Sequence, residues 1–479
     1  MSDPHHDRRW LILVVIGIAQ LLVVLDVTIV NIALPSAQAD LGFSDDQRQW
    51  IITAYALSFG SLLLLGGRIA DLFGRKWTFI AGLIGFAGAS ALGGAAQSFE
   101  LLVGARALQG VFAAMLAPAA LSLLATTFTE PAERAKAFGI YGAIAGAGGA
   151  FGLLLGGALT EAFDWRWCLY VSILFAVPAA IGGLRLLHQV PAPSRPRLDI
   201  PGTVVASSGL FALVYGMAHA ESEGWSDPVT LLFLGASVVL LVAFVALQRR
   251  VAHPLLPLRV VTDRNRAGSY LAIAIAGAGI FGAFLFLTFY LQSTTGLSPL
   301  ETGVAFLPMN FSIIVTATLV NTKLLARTGP RPLIPTGMLL AASGMALLTG
   351  IGVDTGYASH VLPSLILIGV GFGLVVAPSF STATLGVPRE DSGVASAMVN
   401  TSQQVGGSIG TALLSTLAVS ATSDFIATNG PSAQAAVEGY VTAFWWAAAI
   451  FAVGAVVTGA LLRSGVKVPA HGAAEPVAA

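Results

Sequence analysis

The feature that most constrains this chain is a series of apolar stretches, each about 18 residues or longer and holding at most two charges. Fourteen run near residues 10 to 33, 49 to 67, 77 to 96, 101 to 124, 137 to 160, 166 to 187, 202 to 220, 228 to 248, 268 to 291, 302 to 322, 333 to 352, 361 to 384, 393 to 418 and 438 to 462. Each can cross about 30 Å of hydrocarbon as a helix, and each is too long for a barrel strand. Backbone polar groups in lipid find no water, so a crossing segment must bond them internally and be helical. The 479 residues are 56% hydrophobic and 10% charged, too few charges to build a soluble surface of that size. The expected fold is therefore all-α and integral to a membrane, with fourteen transmembrane helices.

Several function classes drop out on the same reading. The 24 basic and 24 acidic residues cancel and form no basic stripe, so a nucleic-acid partner is not expected. Cys168 is the single cysteine, which excludes an internal disulfide and a thiolate metal site. His5, His6 and His471 lie in tails and the other histidines at span ends or loops, so neither a metal site nor any cofactor is expected. No Gly-Lys pair occurs, hence no P-loop and no nucleotide-driven pump. The spans lack a second deep acid, a histidine or an activated nucleophile, which argues against a membrane-embedded enzyme. Arg8 and Arg9 before the first span, and Ser36 to Ala39 after it, imitate a signal peptide. The apolar run is too long for one and contains Asp26, so a retained helix is expected.

Loop charge supplies the orientation. With a cytoplasmic N-terminus, 21 of the 24 Lys and Arg residues fall in inside segments, and only Arg48 and Arg166 fall outside. A wrong number of spans would scramble this alternation, so the chain reads as a multi-pass protein of the cell membrane with both termini cytoplasmic. The long polar interruptions are His188 to Asp199 and Arg249 to Arg266, both read as stiff, proline-containing basic linkers. They bracket spans 7 and 8 and suggest three parts: a six-helix bundle over 1–187, linkers with two extra central helices over 188–267, and a second six-helix bundle with a tail over 268–479. Lys323 to Arg331, after span 10, lies over Arg68 to Lys76, after span 2, in one ungapped register. Such an echo is what repeated bundles predict, and repeated bundles are how many transporters form a midplane site.

Two charges sit deep in the spans: Asp26 in the first and Arg106 in the fourth. Each costs roughly 2.5 to 3.5 kcal/mol at mid-membrane on insertion scales, so each needs a partner or a cavity. Span 1 runs outward and span 4 inward, and counting about 1.5 Å per residue sets the two at similar depth. Two readings remain open: a static pair that orients two helices, or a protonatable carboxylate whose proton affinity is set by burial against the guanidinium.

Other motifs carry similar alternatives. Gly148, Gly152 and Gly156 recur every four residues and present a groove for close helix approach, either as plain packing or as a face that moves during transport. Gly406, Gly407 and Gly410 in span 13 form a similar small face. In the loop after span 2, Asp71 could latch the positive N-terminus of span 13 near Ser392 and Gly393, or the loop could serve topology alone through Arg75 and Lys76.

In order along the chain, these pieces resemble the fourteen-span drug:proton antiporters of the major facilitator superfamily. Leu25 to Pro35 is similar to the helix 1 motif of that family, Gly67 to Lys76 to its loop between helices 2 and 3, and Arg106-Ala107-Leu108-Gln109-Gly110 to its helix 4 motif. Gly139, Gly148, Gly152, Gly156 and Gly157 match the antiporter spacing in helix 5. Trp165-Arg166-Trp167, Gln292 with Gly296 to Pro299, Ser392-Gly393, Asn400 and Gln403 to Gly407 extend the likeness over essentially the whole chain. Leu153 stands where the helix 5 motif has proline, and Ser172 and Leu174 replace a usual asparagine and proline.

The resemblance implies two six-helix bundles with two extra central helices, and proton-coupled export of amphipathic small molecules by alternating access. It implies Asp26 and Arg106 for proton coupling, and Gly67, Asp71, Gly74, Arg75 and Lys76 for the cytoplasmic gate. Asn31, Tyr55, Gln109, Asn310, Asn400, Gln403 and Gln404 are assigned to the substrate cavity. Partners are then a small molecule, protons and the bilayer, with the protein acting as a monomer. The alternative within transport is a dedicated exporter of one metabolite, antibiotic or lipid.

Overall fold

Several helices here begin or end where the sequence supplies a group for the unbonded backbone at helix termini. The computed structural model describes residues 8–44, 47–128, 130–187, 199–251, 254–387 and 391–464, and among these the regular structure is wholly helical. α1 (Arg9–Leu41) ends at Gly42, whose φ of 70° lets its N–H close on the Gln38 carbonyl. α2 (Gln49–Phe73) and α3 (Arg75–Gly94) are joined by Gly74 alone. Ser98 caps α4 (Phe99–Thr127) by accepting from the Leu101 N–H, and Pro131 opens α5 (Pro131–Ala162). α6 (Trp167–Leu186) is followed by α7 (Ile200–Glu223) and α8 (Pro228–Gln248), which are N-capped by Asp199 and Asp227.

The second half is more broken. A short helix, α9 (Leu258–Thr262), lies inside the segment read as a stiff linker, and Asp263 then caps α10 (Arg264–Phe289). Span 10 is assembled from α11 (Pro299–Ala305) and α12 (Leu307–Leu319), followed by the single turn α13 (Leu325–Thr328). α14 (Pro330–Leu348), α15 (Leu362–Thr384), α16 (Ser392–Asn429) and α17 (Ala433–Leu461) complete the chain. Wide turns with i to i+5 bonding extend α10 through Thr294, follow α12 over Val320–Leu324 and open span 12 over Tyr357–Val361. Among the described residues, twelve helices are long and apolar enough to cross a membrane. The other two expected spans fall on α2, with an apolar stretch at Gln49–Leu63, and on the 32-residue α5.

Residue contacts divide the chain into two compact units. One comprises Met1–Leu256, Leu291–Val304 and Thr411–Thr416, and the other Pro257–Tyr290, Ala305–Gly410 and Leu417–Ala479. Within the first, α1 packs on α5, α2 on α4, and α3 on both α4 and α6, while α7 and α8 pair and α7 meets α2. Glycine explains how close these pairs come: a Cβ on Gly110 would sit 2.4 Å from the Tyr55 carbonyl oxygen, and one on Gly66 would sit 1.9 Å from that of Ala114.

The second unit repeats these pairings eight spans later. α12 packs on α15, α14 on α15 and α17, and α10 on α17. Gly369 abuts the Met309 carbonyl between α15 and α12, as Gly110 abuts Tyr55 between α4 and α2. Gly406 and Gly410 of α16 bring that helix against Ala274 and Ala278 of α10, as Gly152 and Gly156 bring α5 against α1. The loop echo has a backbone counterpart too. Gly74 (φ 92°) and Gly329 (φ 73°), aligned in the register read from the sequence, both take positive φ and both join two helices.

Candidate functional site

Asp26 lies about halfway along α1, wholly buried, and Arg106 lies two turns into α4, 2% exposed. Neither side chain reaches the surface, so the protein must supply partners for its polar atoms. Arg106 Nη1 donates to Asp26 Oδ2 at 2.6 Å and to Gln109 Oε1 at 2.7 Å. Gln109 Nε2 in turn donates to Asp26 Oδ1 at 2.9 Å and to Ser90 Oγ of α3 at 2.8 Å. Arg106 Nε reaches the Ile51 carbonyl of α2 at 3.2 Å, and the guanidinium carbon stands 4.6 Å from the Tyr55 ring centroid. Both carboxylate oxygens are thus occupied by donors, and α1, α2, α3 and α4 meet at one polar cluster.

The helical spacing of Arg106 and Gln109 puts both on one face of α4, so the same turn supplies the charge and the amide that braces it. Beside the cluster is a cavity of about 10 Å³ lined by Val30, Leu34, Ile51, Leu102, Arg106 and Cys168. That volume is at the threshold for one water. The cluster is held by fixed protein groups on four helices.

The other expected residues are distributed as follows. Gln109 and Tyr55, read as cavity residues, belong to the carboxylate cluster. Asn31 is buried on α1, its Nδ2 bonded to the Val27 carbonyl at 2.8 Å and its Oδ1 without a partner among the described residues. Asn310 is buried on α12 and bonds the Phe306 carbonyl at 3.2 Å. On α16, Gln404 is buried with its Nε2 unpartnered among the described residues, whereas Asn400 and Gln403 are half-buried.

In the gate loop, Gly74 has the positive φ expected of it, but a Cβ on Gly67 would find only Pro118 at an ordinary 3.7 Å. Lys76 Nζ donates to the Leu184 carbonyl at 3.0 Å, and Arg75 is the first residue of α3. The side chain of Asp71, the surroundings of Gly139, and Arg389 lie outside what is described. At the start of α16 stands a carboxylate of its own unit: Asp391 accepts from Arg259 Nε of α9 at 2.8 Å.

The helix 5 glycines take specific partners. Gly148 faces Leu21 and Val24, Gly152 faces Thr28, and Gly156 faces Ile29, all on α1. Gly157 faces Pro299 and Leu300, and Gly303 comes against the Leu153 carbonyl, where a Cβ would be 2.6 Å away. Leu153 itself is fully buried in an unbroken α5. Trp165 and Arg166 converge on Asp40, at 3.1 and 2.7 Å, while Arg166 also bonds the Ala96 carbonyl.

Sequence reasoning missed Ser90 and Asp391. Ser90 sits in a run of small residues on α3, where one hydroxyl carries no pattern; the only available signal was that Gln109 has more hydrogen-bonding capacity than one carboxylate uses.

A chain of long apolar helices, paired twice in the same way and holding a buried carboxylate cluster among four helices, has the build of a membrane carrier. The Major Facilitator Superfamily model matches residues 16–411, and the chain belongs to that family. It is 54% identical to the puromycin resistance protein of Streptomyces alboniger over 96% of this chain and 91% of that one. It is 33% identical to the multidrug efflux pump LfrA of Mycolicibacterium smegmatis over 86% and 81% of the two chains. The crystal structure of an auto-inhibited POT family peptide transporter superposes with a TM-score of 0.69 at 20% identity, over 94% of this chain and 97% of the other, a likeness of fold. The protein is a multi-pass membrane transporter of small molecules, and not an enzyme.

Proposed function

We propose that this transporter exports an amphipathic small molecule in exchange for protons, with Asp26 as the group that takes and yields the coupling proton. The observation that carries this reading is the Asp26 to Arg106 to Gln109 cluster. A carboxylate that accepts on both oxygens is arranged as the anion. If it takes a proton on Oδ2, that oxygen must donate, and it faces an Arg106 N–H at 2.6 Å, so the pair has to part. Proton uptake is thereby tied to a shift of α1 against α4, which is the coupling an antiporter needs.

Asn31, Tyr55, Gln109, Asn310, Asn400, Gln403 and Gln404 supply polar groups for the substrate, and Asp71 with Gly67, Gly74, Arg75 and Lys76 forms the cytoplasmic gate. The termini are cytoplasmic, the protein works as a monomer in the cell membrane, and in chain order two extra helices come between two six-helix bundles. Asp26 is the only acid deep in a span and is offset by Arg106, so neutral or singly charged substrates are preferred, with one proton per cycle.

Puromycin is the first probe to use. Its addition to the purified protein in weakly buffered detergent should release protons, and Asp26→Asn should abolish the release. Equal release from the variant would remove Asp26 from the mechanism. A second reading, a dedicated exporter, is favoured by the 54% identity to a protein named for resistance to one antibiotic. Efflux of puromycin alone from a chemically varied panel in everted vesicles would select it.

A further inference from the structure

We infer that the groove between α3 and α6 is a binding site for one anionic phospholipid of the cytoplasmic leaflet. The groove has a volume of about 240 Å³ and is wholly apolar. Leu83 and Ala180 form its floor, and Ile84, Val177, Ile181 and Leu184 form its exposed walls, each of the last four between 45 and 59% exposed. From Ala176 to Leu184 it follows eight residues of α6, about 12 Å, which is most of the roughly 15 Å of hydrocarbon in one leaflet. Its length therefore matches a single acyl chain of one leaflet.

The charge at its mouth selects the headgroup. Leu184, the last residue of the wall, accepts at its carbonyl from Lys76 Nζ at 3.0 Å, so the ammonium is fixed over the end of the groove with donors to spare. Arg185 follows Leu184 and is exposed, and Arg75 precedes Lys76. Neither α3 nor α6 contains an acidic residue. Basic side chains between helix ends on the cytoplasmic side are the recognised setting for anionic headgroups. A zwitterionic lipid would leave its own cation among these charges. The bound lipid would brace α3 against α6.

The test is native mass spectrometry of the full-length protein in neutral detergent, with dioleoylphosphatidylglycerol and dioleoylphosphatidylcholine offered in equal amounts. One phosphatidylglycerol should be retained in preference, and Arg185→Gln should lower that preference about five-fold, as one basic residue near a surface does. Ala180→Phe, which fills the floor, should release both lipids. Equal retention of the two lipids by the unmodified protein would overturn the proposal, as would an unchanged preference in Arg185→Gln or displacement of the lipid by glycerol 3-phosphate alone. Arg185 is exposed, so its variant keeps the test decisive even if Ala180→Phe does not fold.

Discussion

Among the described residues, Asp26 is the one carboxylate that Arg106 pairs with, and both are buried. Removing one member of such a pair strands the other, which typically costs about 3 to 5 kcal/mol, whereas removing both leaves no bare ion. Asp26→Asn should therefore lower the thermal unfolding temperature markedly, and the double variant Asp26→Asn with Arg106→Gln should recover part of the loss. Additive losses would mean the pair is not coupled. The pairing was legible because each residue is the only charge deep in its span. The depth count takes the first span to end near residue 33, whereas α1 continues through Pro35 to Leu41. A second residue-scale contrast concerns the gate loop. Gly74→Val should destabilise by about 1 to 3 kcal/mol because its φ of 92° is strained for a β-branched side chain. Gly67→Ala meets only an ordinary contact and should be near neutral, measured in the same unfolding assay.

Helix pairs carry the repeat more clearly than the sequence does. Nine aligned residues around Gly74 and Gly329 gave the register, and the glycine contacts between α5 and α1, and between α16 and α10, extend it to whole helices. Run length and loop charge revealed the spans because lipid acts on average hydropathy. They could not reveal that Leu291–Val304 groups with the first unit, or that wide turns end spans 9 and 10 and open span 12, because these depend on neighbours distant in sequence. The glycine faces make a prediction. A Cβ on Gly406 would lie 2.0 Å from the Ala274 carbonyl oxygen, so Gly406→Val should separate α16 from α10 and abolish transport at a cost of at least about 1 to 3 kcal/mol. Gly88 of α3 has nothing within 4 Å, so Gly88→Ala should be neutral or stabilise by up to about 1 kcal/mol. Full transport by Gly406→Val would show that this contact is not needed for the cycle.

For the molecule as a whole, the account rests on one titrating carboxylate serving an alternating-access carrier. One proton exchanged for one neutral substrate moves a net charge, worth about 2.3 kcal/mol per 100 mV, so membrane potential alone should drive export. Efflux of dications would instead require a second acid at depth, and α3, α4 and α6 carry none there. The most direct test is substrate movement in proteoliposomes under an imposed pH gradient, with the unmodified protein and Asp26→Asn compared at equal reconstitution. The account predicts gradient-driven transport by the unmodified protein, and by the variant only substrate exchange that ignores the gradient. Full gradient-driven transport by Asp26→Asn would contradict it.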